Sequence, residues 1–391
     1  MTEADPGGAG EILSPAPKLK AMLPFNDDST LFFARRMLGV LKGSGIDADT
    51  VWLAQGSDLS PRQMSASLPN GADVLMRNDA FKRVGVLHEY DLILTSRMFP
   101  PLRDMLRDPF SRCRADRPAV CAFQGGLDFD AERGFFNRRF ADAVFIVPTR
   151  DIKRYRTTMA AQGLAGPQYI GFGHPTFLEP KTPPDRTVKD IYFFTQAISP
   201  LTYRSRLYMV KILATLARAY PDRTVWLKLR HLPSENTAHL HKEEHPYPDL
   251  ITALGATDLP NLKVTADPME AVLPNVGIGI TCTSTAAVDL IRAGIPTMLY
   301  LDYVENYLDP LVNPMRALFE TSGLIVPLDN ILNLAPQPAR AAWIDGMFCS
   351  KDRLIAQIFE AHAHFKARTD LTTRILPVPL DRANAPEDAK A

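Results

Sequence analysis

The sequence predicts an α/β protein built from two Rossmann-like, doubly wound domains that face each other across a cleft. Short apolar segments of strand length alternate with amphipathic segments of helical period, as in the βαβ units of a parallel sheet. A Pro-rich, polar segment interrupts the alternation, which then restarts. The length of 391 residues also suits two domains better than one.

The interruption sets the predicted domain boundaries. We predict an N-terminal domain over residues 18–174, a linker over 175–189 and a C-terminal domain over 190–375. Residues 1–17 are rich in Gly, Ala and Pro and lack the basic start and apolar core of a signal peptide. A disordered tail is predicted there, and another over residues 376–391.

Each strand of the N-terminal domain is predicted from a short, mainly apolar run, the composition of a strand buried on both faces. These strands are predicted over residues 18–25, 50–54, 91–96, 119–123, 143–147 and 168–171. The segments between them carry apolar residues at helical spacing. They predict helices over residues 31–41, 101–107 and 150–162.

The C-terminal domain repeats this pattern. Its strands are predicted over residues 190–195, 224–229, 262–265, 277–281 and 297–301. Its helices are predicted over residues 203–219, 247–254, 285–293, 310–321 and 351–366.

A strand–turn–helix unit over residues 277–296 is the most informative segment. The turn is rich in hydroxyl groups, and the helix begins with Ser284 and Thr285, both good N-cap residues. The helix ends at Gly294, a suitable C-cap. Free N–H groups, the helix dipole and the hydroxyls would suit a phosphate group. An ordinary capped helix explains the same residues, so the pattern alone leaves both interpretations open.

The composition limits the classes of function. Lys+Arg and Asp+Glu both total 44, so the balanced charge gives no general argument for binding nucleic acid. No stretch reaches 18 uninterrupted apolar residues, so no membrane span is expected. The four cysteines form no CxxC pair, and Cys121 and Cys282 are predicted to be small core residues. This usage suits a reducing cytoplasm.

Several common motifs are missing from the sequence. Without GxGxxG a dinucleotide dehydrogenase is poorly supported, and without GxxxxGK[ST] a P-loop is excluded. His241 and His245 lie four residues apart but not in an HExxH motif, so a polar loop is favoured over a zinc site.

Candidate anion-binding residues follow two strands of the C-terminal domain. Gln196 ends the first of them, and Arg204 and Arg206 open the next helix, although solvated arginines at a helix start are the alternative. Lys228 and Arg230 lie on one face of the strand over 224–229, and His231 follows its end. Such a cationic cluster at the carboxyl edge of a sheet suits an anion.

The N-terminal domain offers carboxylates and glycines at strand ends. Asp27, Asp28 and Ser29 follow the first strand, where a carboxylate facing the cleft can act as a general base. Asp27 and Asp28 could equally cap the next helix, and both roles can coexist. Gly125 and Gly126 follow the strand over 119–123 and allow a ligand to approach the backbone closely, unless they only form a turn.

The residues at 284–287, followed by Ala293-Gly294-Ile295-Pro296, resemble the Ser/Thr motif and helix of GT-B glycosyltransferases. More narrowly, they are similar to bacterial sialyltransferase, polysialyltransferase and Kdo-transferase-like enzymes of capsule and surface-glycan synthesis. The segments 194–196, 228–231 and 28–29 fit the same group.

The His-Pro pair of that group is expected near the nucleotide phosphate, but this sequence offers two such pairs. They are His174-Pro175, at the predicted domain junction, and His245-Pro246, whereas the strand end itself reads Arg230-His231-Leu232-Pro233. Which pair takes the role is open.

The resemblance implies a nucleotide-sugar donor in the C-terminal domain and an acceptor in the N-terminal domain. The donor-binding residues that it implies are Gln196, Lys228, Arg230, His231, Ser284 and Thr285 at the phosphate and Glu235 at the ribose or base. The acceptor-side residues are Asp27, Ser29, Gly125 and Gly126. The catalytic residues are His231 and Asp28, the latter as the base that deprotonates the acceptor hydroxyl, with Asp128 or His88 as the next candidates.

The expected activity is transfer of a sugar, such as the ulosonic acids sialic acid or Kdo, to a glycan or glycolipid acceptor. A CMP-linked donor is preferred, with no further cofactor and no metal, because Lys, Arg and a helix dipole can supply the positive charge. A cytoplasmic enzyme is expected, and peripheral association with the inner face of the membrane is compatible with this. The alternatives are a nucleotide-sugar 2-epimerase-like hydrolase and a non-catalytic two-domain binding protein, against which the missing signal peptide argues.

Overall fold

The computed structural model describes residues 18–55, 59, 61–77, 87–125, 131–164, 166–180, 187–230 and 243–371. These residues form two parallel β-sheets with helices packed around them, which confirms the predicted α/β class with two doubly wound units. The predicted tails over 1–17 and 376–391, and part of the predicted linker, lie outside the described residues.

The first sheet comprises seven strands. They are β1 (Leu19–Phe25), β2 (Ile46–Leu53), β3 (Val74–Met76), β4 (Leu92–Thr95), β5 (Ala119–Phe123), β6 (Ala143–Ile146) and β7 (Tyr169–Phe172). Their order is β3-β2-β1-β4-β5-β6-β7, and every neighbouring pair is parallel. The helices described around it are α1 (Asp28–Leu41), α2 (Pro61–Ser67), α3 (Pro100–Arg107), α4 (Pro109–Arg112), α5 (Ala131–Arg138) and α6 (Thr149–Ala161).

The second sheet comprises five strands. They are β8 (Ile191–Phe194), β9 (Val225–Lys228), β10 (Leu262–Thr265), β11 (Ile278–Thr281) and β12 (Thr297–Leu299). They are parallel in the order β10-β9-β8-β11-β12. The helices that follow β7 in the described chain are α7 (Tyr203–Ala219), α8 (Tyr247–Ala253), α9 (Met269–Val272), α10 (Ala286–Arg292), α11 (Val312–Phe319), α12 (Leu328–Leu332), α13 (Ala341–Met347) and α14 (Lys351–Lys366).

Burial on both faces explains why the strands are continuously apolar. In β1, Leu23 and Phe25 pack into one hydrophobic cluster, whereas Met22 packs into another on the opposite face. Phe193 and Phe194 in β8 divide between two clusters in the same way. All eleven predicted strands are present with small shifts at their ends, but β3 was not predicted, because three residues are too few to show a period.

The strand order places the two switch points of the fold. In each sheet the chain reverses its direction of travel beside the first strand, between β1 and β4 and between β8 and β11. Ligands of doubly wound sheets bind in the crevice outside the carboxyl ends of the strands at such points. At these points residues 26–28 and 96–97 follow β1 and β4 in the first sheet, and residues 195–200 and 282–285 follow β8 and β11 in the second.

The C-terminal helix α14 returns to the first sheet. Its Gln357 side chain accepts a hydrogen bond from the backbone N–H of Phe172 at 2.9 Å and donates one to the carbonyl of Phe172 at 2.8 Å. Glu360 accepts a hydrogen bond from the Tyr169 hydroxyl at 2.6 Å. The predicted C-terminal domain over 190–375 includes this helix and so assigns it to the second sheet. The sequence could not show otherwise, because an amphipathic pattern indicates that one face is buried but not which sheet covers it.

A single helix, α1, supplies three ion pairs that join the two halves in the described part of the chain. Arg35 pairs with Glu270 at 2.9 Å, and Arg36 donates to both carboxylate oxygens of Asp289 at 2.8 and 2.9 Å. Asp28, the first residue of α1, pairs with Arg230. The helix that starts at the switch point of the first sheet is therefore docked on the second.

Candidate functional site

Asp27 is the cap of α1. Its carboxylate accepts a hydrogen bond from the backbone N–H of Thr30 at 2.9 Å, and the Thr30 hydroxyl accepts one from the backbone N–H of Asp27 at 3.1 Å. The same carboxylate pairs with Arg97, the second residue after the end of β4. Asp27 is thus buried and committed to holding the two strand ends of the first switch point together.

Asp28 points across the cleft. One oxygen of its carboxylate accepts a hydrogen bond from the backbone N–H of Ser29 at 2.8 Å, and the other pairs with the Arg230 guanidinium. The Asp28 side chain is 11% exposed and that of Arg230 is 30% exposed. Of the two alternatives that the sequence left open for this pair of carboxylates, Asp27 caps the helix and Asp28 faces the other half.

The cationic strand end of the second sheet is partly described. Arg230 reaches Asp28, and the Lys228 ammonium donates to the carbonyl of Leu229. His231 and Glu235, which were predicted to bind the donor, lie outside the described residues. Their roles remain predictions.

The segment over 281–285, which we call the hydroxyl turn, begins at the last residue of β11 and carries four hydroxyl side chains of two classes. Thr281 and Thr283 are buried: the Thr281 hydroxyl donates to the carbonyl of Phe194 at 2.9 Å, and the Thr283 hydroxyl donates to Ser199. Ser284 is half-buried and Thr285 is exposed. The inner hydroxyls therefore build the turn, and the outer two are those that a ligand in the crevice could reach.

The predicted helix cap at this turn is half right. The Ser284 hydroxyl oxygen accepts a hydrogen bond from the backbone N–H of Ala286 at 3.3 Å. Thr285 makes no such bond, because its backbone has already entered the helical region. The helix ends as predicted at Gly294, whose φ of 65° is left-handed and favours glycine.

Arg206 fixes the loop after β8. This buried guanidinium donates to the carbonyls of Pro200 at 2.7 Å and Gln196 at 3.2 Å, and it pairs with Glu243. The proposal from sequence that Arg206 holds a ligand anion is therefore wrong, because its donors are used inside the protein. The Gln196 side chain accepts from the backbone N–H of Ile198 at 3.1 Å and stays beside the crevice.

Of the two glycine candidates, only Gly125 is described; it follows β5, the strand beside β4. Gly125 is exposed, and a β-carbon there would lie 3.6 Å from the carbonyl of Ser96, an ordinary contact. Gly126 and Asp128 are outside the described residues. His88, the other alternative base, precedes β4 and so lies at the opposite edge of the sheet, with its Nδ1 2.8 Å from the carbonyl of Asp116.

The two His-Pro pairs have different environments. The ring of His174 is buried among those of Phe33, Phe123 and Phe177, and burial lowers its pKa to about 3. It is a neutral core residue. His245 is half-buried beside the ring of Tyr203 at 5.7 Å and is the more accessible of the two.

Two contributors to the site were not predicted from the sequence. Arg97 pairs with Asp27. This pair could have been predicted, because the first strand and the strand over 91–96 are expected to be neighbours in a doubly wound sheet. Asp309 accepts a hydrogen bond from Ser199 beneath the hydroxyl turn. No local sequence pattern indicates this role, because Asp309 is distant in sequence from β8 and β11. The described residues contain no group of three or more His, Cys, Asp or Glu side chains suited to a metal ion.

Comparisons with known proteins are consistent with this architecture. None of the curated proteins is significantly similar in sequence. A structure described as a "putative UDP-N-acetylglucosamine 2-epimerase" from Listeria monocytogenes superposes with a TM-score of 0.52 at 13% identity, covering 91% of this chain and 92% of the other. The MnaA–UDP complex of S. aureus gives 0.50 at 13% identity, covering 89% and 92%. At this identity the similarity shows the shared fold.

A family model matches most of the chain. It spans residues 25–361, from the end of β1 into α14, and so includes both switch points. The family is described as "Putative glycosyltransferase (DUF6716)". The protein therefore belongs to this glycosyltransferase family and is an enzyme with the GT-B arrangement of two Rossmann-like domains.

Proposed function

We propose that the protein transfers a sugar from a nucleotide-sugar donor at the second sheet to a hydroxyl of a glycan acceptor at the first. The observation that carries this proposal is the Asp28–Arg230 ion pair, which brings the end of β1 within contact of the end of β9. A carboxylate that suits a base and a cation that suits a phosphate thus face each other at the edges where doubly wound sheets bind ligands.

The proposed step is a single displacement at the anomeric carbon. The acceptor oxygen forms a bond to that carbon, and its proton passes to the carboxylate of Asp28. The bond between the anomeric carbon and the phosphate oxygen breaks, and the nucleotide leaves with the electron pair. Arg230, Lys228 and the outer hydroxyls of Ser284 and Thr285 would stabilise the charge that develops on the leaving phosphate.

Donor binding would have to rearrange the ion pair. A donor phosphate competes with Asp28 for Arg230, because both are anions that suit one guanidinium. When Arg230 turns to the phosphate, Asp28 is released to accept a proton. The base would therefore act only when a donor is in place, which supports an order in which the donor binds first.

The finer specificity that we propose is a CMP-linked ulosonic acid and a surface-glycan acceptor. It is supported by the resemblance of residues 284–296 to sialyltransferase- and Kdo-transferase-like enzymes. A uridine nucleotide is the natural competitor, because the S. aureus protein of similar fold is in complex with UDP. Any association with the inner face of the membrane would occur through the acceptor. Among the described residues, no helix has both the length and the apolar character that spanning a bilayer requires.

Calorimetry with CMP, UDP and GDP tests the donor preference. We expect CMP to bind most tightly, and binding of UDP or GDP without CMP would contradict the cytidine proposal.

The activity is tested by incubating the enzyme with CMP-N-acetylneuraminic acid and with UDP-N-acetylglucosamine. Sugar transfer to added glycan supports the proposal, whereas release of free N-acetylmannosamine would show an epimerase-like hydrolase. Tight nucleotide binding without turnover of any donor would show a binding protein.

A further inference from the structure

One buried carboxylate joins the loops that follow β8 and β12. Asp309 is 4% exposed, and its Oδ2 accepts hydrogen bonds from the hydroxyls of Ser199 at 2.6 Å and Tyr303 at 2.5 Å. Its Oδ1 accepts from the backbone N–H of Leu311 at 2.9 Å. Ser199 belongs to the loop after β8, and Tyr303 and Asp309 belong to the segment after β12.

The network continues into the hydroxyl turn after β11. The Thr283 hydroxyl donates to the hydroxyl oxygen of Ser199, which in turn donates to Asp309. Thr283 directly precedes Ser284, the first of the two hydroxyl residues that the crevice can reach. Three loops at the carboxyl edge of the second sheet are therefore tied to one side chain.

The direction of every hydrogen bond in this network is fixed. Burial, with a further contribution from the Asp309 hydrogen bond, raises the pKa of Tyr303, so its hydroxyl remains a donor. Ser199 has one hydroxyl proton, which goes to Asp309, so it can only accept from Thr283. Because unsatisfied buried polar groups are unfavourable, these hydrogen bonds stabilise the arrangement of the loops that they join.

The loop after β8 is held from its other side by Arg206, which donates to the carbonyl of Pro200. Ser199 and Pro200 are adjacent, so the loop lies between the guanidinium and the carboxylate. Arg206 and Asp309 thus fix this loop at the switch point, although the loop has no regular secondary structure of its own.

We propose that Asp309 is a positioning residue of the donor site. Through Ser199 and Thr283 it holds the hydroxyl turn and the β8 loop at the separation that a nucleotide phosphate requires, without touching the donor. This inference rests on the proposed function, because it assumes that the nucleotide occupies the crevice of the second sheet.

The test uses Thr283→Val, which keeps the shape of the side chain and removes its hydroxyl, and Asp309→Asn, which removes the charge. We expect both to raise the Kd of the bound nucleotide about tenfold, as when a buried hydrogen bond is left unmade. In assays of transfer, the KM for the donor should rise while the KM for the acceptor stays unchanged. Thr283→Ser restores the hydroxyl and should restore the affinity.

The matched control is Thr297→Val. Thr297 is buried in the adjacent strand β12, but at the opposite edge of the same sheet, where its hydroxyl donates to the carbonyl of Ile295 at 2.8 Å. We expect this variant to lose a similar amount of thermal stability and to keep its nucleotide affinity.

Calorimetry with CMP, UDP and GDP on the full chain separates the outcomes. If the wild-type protein binds one of them, and Thr283→Val binds it equally well, the positioning role is overturned while the proposed function stands. If Thr283→Val and Thr297→Val lose affinity to the same extent, the role is purely structural and the inference is again overturned. If the wild-type protein binds none of the three, the proposed function and this assignment fail together.

Discussion

Asp28 and Arg230 are ion-paired across the cleft, although each is proposed to serve a different substrate. Asp28 opens the helix that follows the first strand of one sheet, and Arg230 follows the second strand of the other. In this arrangement each group satisfies the charge of the other. A donor that takes Arg230 therefore also changes the state of Asp28, which links the two halves of the site.

Replacing Asp28 with Asn tests the proposed base. The change keeps the size of the side chain and removes the proton acceptor, so we expect turnover to fall by about 100- to 10,000-fold. Nucleotide affinity should be at least as high as in the wild type, because Arg230 loses a competing carboxylate. Initial rates and calorimetry on the same preparation measure both effects.

Asp27→Asn is the control for that experiment. Asn is as good an N-cap as Asp, so the helix should start at the same residue, but the ion pair with Arg97 is lost. We expect lower thermal stability with turnover close to that of the wild type. If Asp27→Asn abolishes turnover and Asp28→Asn does not, the base is Asp27; if neither reduces turnover, neither carboxylate is the base.

Replacing Ser284 and Thr285 together with Ala tests the outer hydroxyls. We expect a loss of stability of about 1 kcal/mol, because the change removes the hydrogen bond that the Ser284 hydroxyl accepts from Ala286 but leaves the buried network beneath the turn intact. If both donate to a phosphate, nucleotide binding should weaken by about 1–3 kcal/mol. Calorimetry at constant ionic strength measures the difference, and unchanged affinity would show that the phosphate lies elsewhere.

The sequence predicts the strands well and the partners of the site residues poorly. Strands such as β5 are recognisable because burial on both faces demands an unbroken apolar run. The roles of Asp27 and Asp28 could not be separated, because they depend on the backbone angles at one turn and on Arg97, which is distant in sequence. The same limit applies to Arg206, whose burial depends on carbonyls of a loop without regular structure.

His174 should make the folded state sensitive to mild acid. Burial lowers its pKa to about 3, whereas an unfolded chain has an ordinary histidine pKa of about 6.5. Between these values the unfolded state binds more protons, so stability rises with pH and is lost as the pH falls below about 6.5. For one such group, the free energy of unfolding is expected to fall by about 2 kcal/mol between pH 7.5 and pH 5.

The variant His174→Asn isolates this contribution. An Asn side chain can still accept the hydrogen bond that the backbone N–H of Thr176 donates to the His174 ring at 3.0 Å, but it does not titrate. Denaturant titrations at several pH values should show a flatter dependence for the variant, at lower overall stability. Phe177→Leu loosens the same aromatic cluster without removing the titration and should keep the wild-type slope.

Gly279 in β11 should be intolerant of any side chain, because α10 packs directly on it. A β-carbon at this position would lie 2.4 Å from Cδ1 and 2.9 Å from Cδ2 of the buried Leu290. We expect Gly279→Ala to destabilise the protein by about 1–3 kcal/mol. Because α10 directly follows the hydroxyl turn, its displacement should also move Ser284 and weaken nucleotide binding.

A shorter partner should relieve this clash. Adding Leu290→Val to Gly279→Ala removes the atoms in conflict, so the double variant should be more stable than the sum of the single changes predicts, and its nucleotide affinity should recover. Gly39→Ala is the matched control, since Gly39 lies in α1 with no atom within 4 Å of the added carbon. There Ala is expected to stabilise the helix by up to about 1 kcal/mol. Strictly additive effects of the two changes at Gly279 and Leu290 would show that the close approach of α10 to β11 does not set the position of the turn.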